Sequence, residues 1–194
     1  EADVNEKQID MWKRMKYMYE HLGAKYIKNN PSFDFPYVHW PLSFQGQPPA
    51  FGLHTSMFWL TIENLSNDEQ KARWMPEIRQ ANMFGCYAQT ELGHGSDVAS
   101  LETTATLDKA TDEFVIHSPT LTSTKMWPGD LGRFSTHAIV HSRLIVDGKF
   151  HGVHPFLVQL RDLETYKHLK GIKTGDLVRS SGTQLKTMAG PSSI

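Results

Sequence analysis

The hydrophobic pattern of the chain changes its period near residue 83, and this change constrains the fold more than any other feature. Before it, apolar residues recur at helical spacing, and a first amphipathic helix is predicted over residues 4–29. After it come runs rich in Val, Ile, Thr and aromatic residues, which turn residues separate. The sequence therefore predicts an α+β fold, in which a helical segment precedes an antiparallel, barrel-like β domain.

Two further helices are predicted before the β half. The run from Phe51 to Asn64 is mostly apolar and too long for a typical strand, so it is interpreted as a buried helix. Ser66 and Glu69 fit a capping box that opens the helix DEQKARWMPEIRQ, whose inner side would carry Ala72, Met75 and Ile78. Residues 31–49 hold several prolines and predict an extended connection.

Turn chemistry predicts two hairpins in the β half. Residues 108–112 separate two strand-like runs, and Asp147-Gly148 separates two others. Asp-Gly between apolar runs is a strong short-range hairpin signal, because both residues tolerate positive φ.

Composition excludes several classes of partner. Twenty basic and twenty-one acidic residues leave a net charge of -1, so no basic field favours nucleic acid or an anionic membrane. No run approaches the roughly 20 apolar residues that span a bilayer.

The single cysteine, Cys86, cannot form an internal disulfide, which favours a reducing intracellular compartment. The chain begins at Glu1 and ends in a polar, weakly patterned tail, so we expect it to be part of a longer protein.

The stretch CYAQTELGHGSD, from Cys86 to Asp97, leaves a predicted strand and enters a glycine-containing loop. A Rossmann turn is one interpretation, but Val98 stands where the third glycine belongs, and the β-branched run LETTATL follows instead of a helix. The hydroxyls of Thr90 and Ser96, with glycines that admit a close approach, suit a polar ring edge or a pyrophosphate.

Ten histidines raise the question of a metal site. His137 and His141 would share a strand face, and His151 and His154 would lie across a hairpin. No cysteine pair or carboxylate accompanies them, so no metal site is predicted. His94 is interpreted as a loop residue because no partner acid is visible for it.

Several charged residues admit more than one role. Lys125 fits a phosphate partner or an exposed strand position, and both remain open. Glu91 is interpreted as a structural carboxylate. Arg143 and Arg161 are expected at solvated strand ends.

The motifs YAQTELGHGSD, LETTAT, DEFVIHSPTLTSTKMWPGDLG and STHAIV together resemble the acyl-CoA oxidases, flavoproteins that share the acyl-CoA dehydrogenase fold. The resemblance runs from about Phe51 to Asp176. It implies a partial N-terminal helical domain over 1–82, a flavin-binding middle β domain over 83–176, and a divergent or truncated tail over 177–194. The family's C-terminal helical domain would be missing.

The resemblance implies that the cofactor is FAD and assigns six residues to it. Gln89 and Thr90 would address the pyrimidine edge of the ring, and Gly95 and Ser96 would lie near the phosphates or the substrate thioester. Trp127 would pack beside the ring, with Gly129 close to its reactive positions. Dehydrogenase relatives commonly carry a hydroxyl residue at the latter place, so Gly129 favours an oxidase by leaving room for molecular oxygen.

The implied reaction converts a fatty acyl-CoA into trans-2-enoyl-CoA and passes electrons to oxygen, which gives hydrogen peroxide in fatty acid β-oxidation. The family's catalytic glutamate lies in the missing domain, so no catalytic residue is assigned and the isolated chain is predicted to be inactive. A homodimer and a peroxisomal location are also implied, although the final Ser-Ser-Ile is not the Ser-Lys-Leu address. The alternatives are a non-catalytic binding or assembly module and an acyl-CoA dehydrogenase.

Overall fold

The computed structural model of the chain describes Lys13, Tyr17 and residues 52–79, 82–129, 135–176 and 185–189. The helix predicted over 4–29, the connection over 31–49 and most of the tail over 177–194 lie outside these residues. The chain divides into two compact units, Glu1–Met83 and Phe84–Ile194. Within the described ranges, no helix is long and apolar enough to cross a membrane.

The first unit contains the buried helix that the sequence predicts at Phe51 to Asn64. A π-helical stretch, His54–Trp59, continues directly into α1, Leu60–Leu65. Phe58 is fully buried and Ile62 nearly so, because the apolar residues of this run recur on one side of the helix.

The second helix of this unit, α2 (Asp68–Arg79), has a cap that differs from the prediction. Asn67 and Gln70 bond reciprocally, with the Gln70 amide donating to Asn67 Oδ1 (2.8 Å) and the Asn67 amide donating to Gln70 Oε1 (3.1 Å). The box at Ser66 and Glu69 is therefore wrong by one residue. Met75 and Ile78 are buried as predicted, whereas Ala72 is exposed.

The second unit is built from strands, which the described residues place as β1 (Gly85–Ala88), β2 (Thr104–Asp108), β3 (Glu113–His117), β4 (Lys125–Met126), β5 (His137–Val146), β6 (Lys149–Gln159), β7 (Ile172–Asp176) and β8 (Leu185–Ala189). The helical and β halves of the predicted α+β fold are both present.

Strand β5 organises the larger sheet. One of its edges pairs antiparallel with β6, and the other pairs parallel first with β1 and then with β2, which in turn pairs antiparallel with β3. A smaller antiparallel sheet has the order β4-β8-β7. The larger sheet is therefore mixed, and the wholly antiparallel arrangement predicted for this half is corrected at β5.

Both predicted hairpins are present. Strands β2 and β3 pair from Thr104 with His117 to Asp108 with Glu113. In the β5–β6 hairpin, Asp147 and Gly148 have φ values of 53° and 70°. Positive φ at both central residues is what a two-residue turn between twisted strands requires.

The core of this unit combines residues of the larger sheet with Leu160, which follows β6, and Ile172 of β7. Its members from the larger sheet are small or β-branched residues that let the strands pack closely: Cys86, Ala88, Ala105, Ile116, Ala138, Val140 and Val158.

Candidate cofactor-binding site

Two backbone segments from distant parts of the β unit lie side by side. The first covers residues 87–93, from the last residues of β1 into the loop that follows it, and the second covers residues 122–128 around β4. Their bonds run from amide to carbonyl: Tyr87 to Pro128 (2.9 Å), Met126 to Thr90 (2.8 Å), Leu92 to Thr124 (2.8 Å) and Gly93 to Thr122 (2.9 Å). The pairing brings Gln89 and Thr90 beside the stretch that carries Trp127 and Gly129.

The pairing is irregular where these predicted site residues meet. Ala88 and Gln89 lie between the bonded positions on one segment, and Trp127 alone lies between them on the other, so two residues oppose one as in a β-bulge. Trp127 has a φ of 57° and Gly129 a φ of 78°. A bulky residue in the left-handed region is uncommon and costs about 1 kcal/mol or more.

Trp127 is also unusual in its exposure. Its side chain is 56% exposed, although Met126 and Pro128 on either side are buried. A large indole held out from the surface by a strained backbone offers a flat apolar face to a ring.

Thr90 presents polar groups at the same place. Its carbonyl accepts the Met126 amide, but its own amide and hydroxyl form no hydrogen bond within the part of the chain that the structure describes. The Gln89 carbonyl is bonded to Lys125 Nζ (3.1 Å). Thr90 therefore keeps two donors, one of which can also accept, for a ligand beside Trp127.

Gly95 and Ser96 lie apart from this group, in an exposed loop. No hydrogen bond among the described residues joins them to Gln89, Thr90, Trp127 or Gly129. The two glycines of the loop differ: a Cβ at Gly93 would lie 2.9 Å from the Thr122 Cβ, whereas a Cβ at Gly95 would meet nothing within 4 Å. Gly93 is thus needed for the close packing of its backbone against Thr122.

Lys125 and Glu91 form a buried ion pair behind the site. Lys125 Nζ lies 3.0 Å from Glu91 Oε1, and both side chains are essentially inaccessible to solvent. Both roles left open for Lys125, a phosphate partner and an exposed strand position, are wrong. Burial would raise the pKa of Glu91, but hydrogen bonds from Glu102 and Thr103 and the charge of Lys125 lower it below its usual value.

The loop also has an acid partner for His94 that the sequence did not reveal. His94 Nε2 lies 2.9 Å from Glu102 Oε1, and Thr120 donates its hydroxyl to the other carboxylate oxygen. Hydrogen bonds from Thr120, Thr122 and His94 lower the pKa of Glu102 to about 2. Glu102 therefore stays ionised at any physiological pH and ties the loop to the segment before β4.

Two histidines of β5, the buried His137 and the half-buried His141, are held as neutral rings. Burial lowers the pKa of His137 to about 4, and burial with the nearby charge of Lys125 lowers that of His141 to about 4. His141 Nε2 lies 3.0 Å from the Tyr87 hydroxyl. In the described part of the chain, no three His, Cys, Asp or Glu residues gather in a way that could hold a metal ion.

Arg161 is not at a solvated strand end, contrary to the prediction. It is 5% exposed, and its Nε donates to the carbonyl of Ser135 (3.1 Å). Arg143 is half-buried, with its guanidinium 4.1 Å from the centre of the Phe150 ring.

One sequence signal could have found the buried pair. Glu91 is the single charged residue of residues 87–93, and Lys125 is the single charged residue of residues 122–128. Two stretches assigned to one site, each with one charge of opposite sign, are candidates for a direct pair. His94 and Glu102 carry no comparable signal, because a loop brings them together.

Comparison with known proteins gives the family. A profile described as acyl-coenzyme A oxidase N-terminal matches residues 5–84, so the likeness begins well before Phe51. Peroxisomal acyl-coenzyme A oxidase 1 of Arabidopsis thaliana is 51% identical over 139 residues, which cover 72% of this chain and 21% of that protein. The chain spans about a fifth of the length of the curated relatives it matches.

Solved structures agree with the sequence comparison. An acyl-CoA oxidase from tomato (Lycopersicon esculentum) superposes with a TM-score of 0.78 at 42% identity, covering 95% of this chain and 28% of that one. Acyl-CoA oxidase-2 of Caenorhabditis elegans, solved with FAD, ascaroside-CoA and ATP, gives a TM-score of 0.77 at 37% identity and covers 88% and 27%.

The fold is thus that of part of an acyl-CoA oxidase, with a helical segment followed by strands. Sequence and structure agree on the family itself: the chain belongs to the acyl-CoA oxidases and corresponds to their N-terminal region.

Proposed function

We propose that the chain is the N-terminal and middle part of an FAD-dependent acyl-CoA oxidase. Residues 1–82 would form part of its helical domain, 83–176 its flavin-binding β domain, and 177–194 a divergent or truncated tail. The observation that carries the proposal is the exposed, left-handed Trp127 beside the amide and hydroxyl of Thr90, which have no hydrogen-bond partner among the described residues. C. elegans acyl-CoA oxidase-2, which shares this fold, was solved with FAD.

The chain's own groups would bind and orient the ring. The Thr90 amide and hydroxyl, with the Gln89 side chain, would bond to its pyrimidine edge, because that edge offers carbonyl and nitrogen partners. Trp127 would cover part of the ring and exclude water from it. Gly95 and Ser96, in their exposed loop, would meet the phosphates or the substrate thioester.

FAD, when bound, supplies the hydride acceptor and the route of electrons to oxygen. The overall reaction would convert fatty acyl-CoA and oxygen into trans-2-enoyl-CoA and hydrogen peroxide. Gly129 has no Cβ, and its φ of 78° lies in the left-handed region, which most residues with a Cβ disfavour. This backbone requirement would preserve the space through which oxygen reaches the flavin.

The general base would come from outside this chain, so the isolated chain would not turn over substrate. Three glutamates within the β unit are placed for other roles. Glu91 is paired with Lys125, Glu102 is held by His94 and Thr120, and Glu113 lies at the start of β3, opposite Asp108 in the hairpin register. None of them is placed as a free carboxylate beside Thr90.

The remaining parts of the proposal concern the assembled protein. We propose a location in the peroxisome, because the A. thaliana relative is named as peroxisomal. A homodimer is proposed from the family resemblance alone. The relatives and structures described above are named acyl-CoA oxidases, which favours an oxidase over a dehydrogenase or a non-catalytic module.

The test is to incubate the purified chain with FAD, remove free flavin by gel filtration and record the visible spectrum. Retained flavin absorbance supports the site. Thr90→Val, which removes the hydroxyl alone, should raise the Kd for FAD about fivefold, the loss of one hydrogen bond. Thr106→Val, at an exposed position of β2, is the matched control and should leave the Kd unchanged. A folded chain that retains no flavin would contradict the proposal.

A further inference from the structure

Lys125 connects the two sheets of the β unit from a buried position. Its Nζ donates to Glu91 Oε1 (3.0 Å), to the carbonyl of Gln89 (3.1 Å) and to the carbonyl of His141 in β5 (2.7 Å). An ammonium group has three N–H donors, so all of them are used within the protein. The charge of Lys125 therefore serves an internal purpose and is not available to a phosphate.

The carboxylate of Glu91 also binds the residues at the end of the loop that follows it, Glu102 and Thr103. Its Oε1 accepts the Thr103 amide (3.0 Å) and hydroxyl (2.6 Å), and its Oε2 accepts the Glu102 amide (2.8 Å). Apolar residues of similar volume often stabilise a protein as well as a buried ion pair does, because burying two charges is costly. Stability alone therefore does not account for the pair.

The bond from Lys125 to Gln89 sets the direction of the adjacent amide. A peptide group is planar and trans, so the Gln89 carbonyl and the Thr90 N–H point in opposite directions within one plane. Because the carbonyl is turned inward to Lys125, the N–H is turned away from it. The following peptide is held in turn, since the Thr90 carbonyl accepts the Met126 amide at 2.8 Å.

We infer that Glu91 and Lys125 are positioning residues, which hold the Gln89–Thr90 peptide so that the Thr90 N–H faces the edge of the flavin ring. The inference rests on the proposed function for the identity of the ligand. The orientation of the peptide itself rests only on contacts within the chain. A preorganised donor binds more tightly than a mobile one, because the cost of ordering it has already been met during folding.

The variant Glu91→Gln/Lys125→Met tests the inference. It removes both charges together, so that no unpaired charge is left buried, and the introduced amide side chain could still accept from Thr103. Lys109→Met is the matched control: it deletes another lysine of an ion pair, with Asp147, at an exposed site in the β unit. Circular dichroism would establish that each variant is folded.

The first measurement is amide hydrogen exchange by NMR in the chain without FAD. The Met126 amide should exchange about tenfold faster in the double variant, the effect of losing a charged hydrogen bond next to it, while the Val158 amide in the β5–β6 ladder stays unchanged. Unchanged exchange at Met126, or an equal increase at Val158, would overturn the inference, because the pair would then have no local role.

The second measurement is the Kd for FAD. We expect it to rise about tenfold in the double variant and to stay constant in Lys109→Met. Faster exchange at Met126 with an unchanged Kd would overturn the link to the ligand. If Met126 exchanges faster in the double variant but the wild-type chain binds no FAD, the proposed function is refuted and the positioning of the peptide is supported.

A third measurement uses the wild-type chain and so does not depend on the folding of a variant. The Thr90 amide, which has no partner in the described part of the chain, should exchange rapidly without FAD and become protected when FAD is bound. Bound FAD that leaves Thr90 unprotected would overturn the inference.

Discussion

The acid sensitivity of the β unit should depend strongly on His137. Its side chain is 6% exposed at the start of β5, and Nδ1 lies 2.9 Å from the Thr136 hydroxyl. Burial lowers the pKa of this ring from 6.5 to about 4. Because the folded-state pKa lies below the unfolded one, the unfolded chain binds more protons between these values. The stabilisation is therefore complete above pH 6.5 and is lost as the pH falls towards 4.

The size of the effect follows from the two pKa values. Lowering the pH from about 7.5 to about 5 should cost about 2 kcal/mol of unfolding free energy through this one ring. His137→Asn removes the titration and keeps a polar atom near the position of Nδ1 for the bond to Thr136. His141 titrates in the same direction in both proteins, so the difference between them isolates His137.

Urea unfolding at a series of pH values, followed by tryptophan fluorescence, measures this difference. The wild-type chain should lose about 2 kcal/mol more than His137→Asn over that range, and the two curves should run parallel above it. His151→Asn, at an exposed position of β6, is the matched control for replacing an imidazole by an amide. Parallel curves for wild type and His137→Asn throughout would refute the claim that burial of this ring determines the acid sensitivity.

Three other perturbations test the loop and the first unit. Gly93→Ala should destabilise the fold by about 1–3 kcal/mol in urea unfolding, since its Cβ would lie 2.9 Å from the Thr122 Cβ, while Gly95→Ala should change little; equal effects would contradict this account. The folded-state pKa of Glu102 lies below its unfolded value, so the ionised carboxylate stabilises wild type above pH 4.5 and this stabilisation is lost as the pH falls towards 2. Glu102→Gln should abolish this pH dependence, and thermal melts with the same pH dependence in both proteins would rule this out. Asn67→Ala should cost about 1 kcal/mol by removing the α2 cap, whereas Ser66→Ala should cost much less, and the reverse order in denaturation would restore the box predicted from the sequence.

Features with local causes were predictable from the sequence. The turn at Asp147-Gly148 depends only on residues that tolerate positive φ, and the hairpin around it forms where expected. The α2 cap shows the limit of such reasoning. Both Ser66-x-x-Glu69 and Asn67-x-x-Gln70 fit a capping pattern, and the preceding helix decides between them, because the Ser66 amide is bonded to the Ile62 carbonyl (3.2 Å) at its end.

Features that depend on distant residues were not predictable in this way. The residues around Lys125 do not by themselves identify Glu91, 34 residues away, as its partner; the pair of opposite charges becomes a signal only after both stretches have been assigned to one site. The parallel pairing of β1 with β5 likewise joins Gly85 to His137 across the whole of the intervening chain. Local propensity describes a strand but not the neighbour beside which it lies.

The candidate site was predictable from the sequence only in part. Resemblance to a family indicated that Gln89, Thr90, Trp127 and Gly129 belong together, and the structure brings their two segments side by side. The strained backbone of Trp127 has no sequence signature, since tryptophan is not a residue that favours positive φ. The contacts of all six assigned residues with FAD remain predictions.

The arrangement around β5 has a consequence for the order in which the β unit folds. The β5–β6 hairpin closes through a two-residue turn, and hairpins of this kind form in about 1–10 μs. Strands β1 and β2 then occupy successive lengths of the free edge of β5, and the first of these contacts closes a loop of 52 residues. We therefore expect the hairpin to act as a template and the segment that carries Thr90 to become ordered late. Substitutions at Val158 should slow folding, whereas those at Glu91 should chiefly accelerate unfolding.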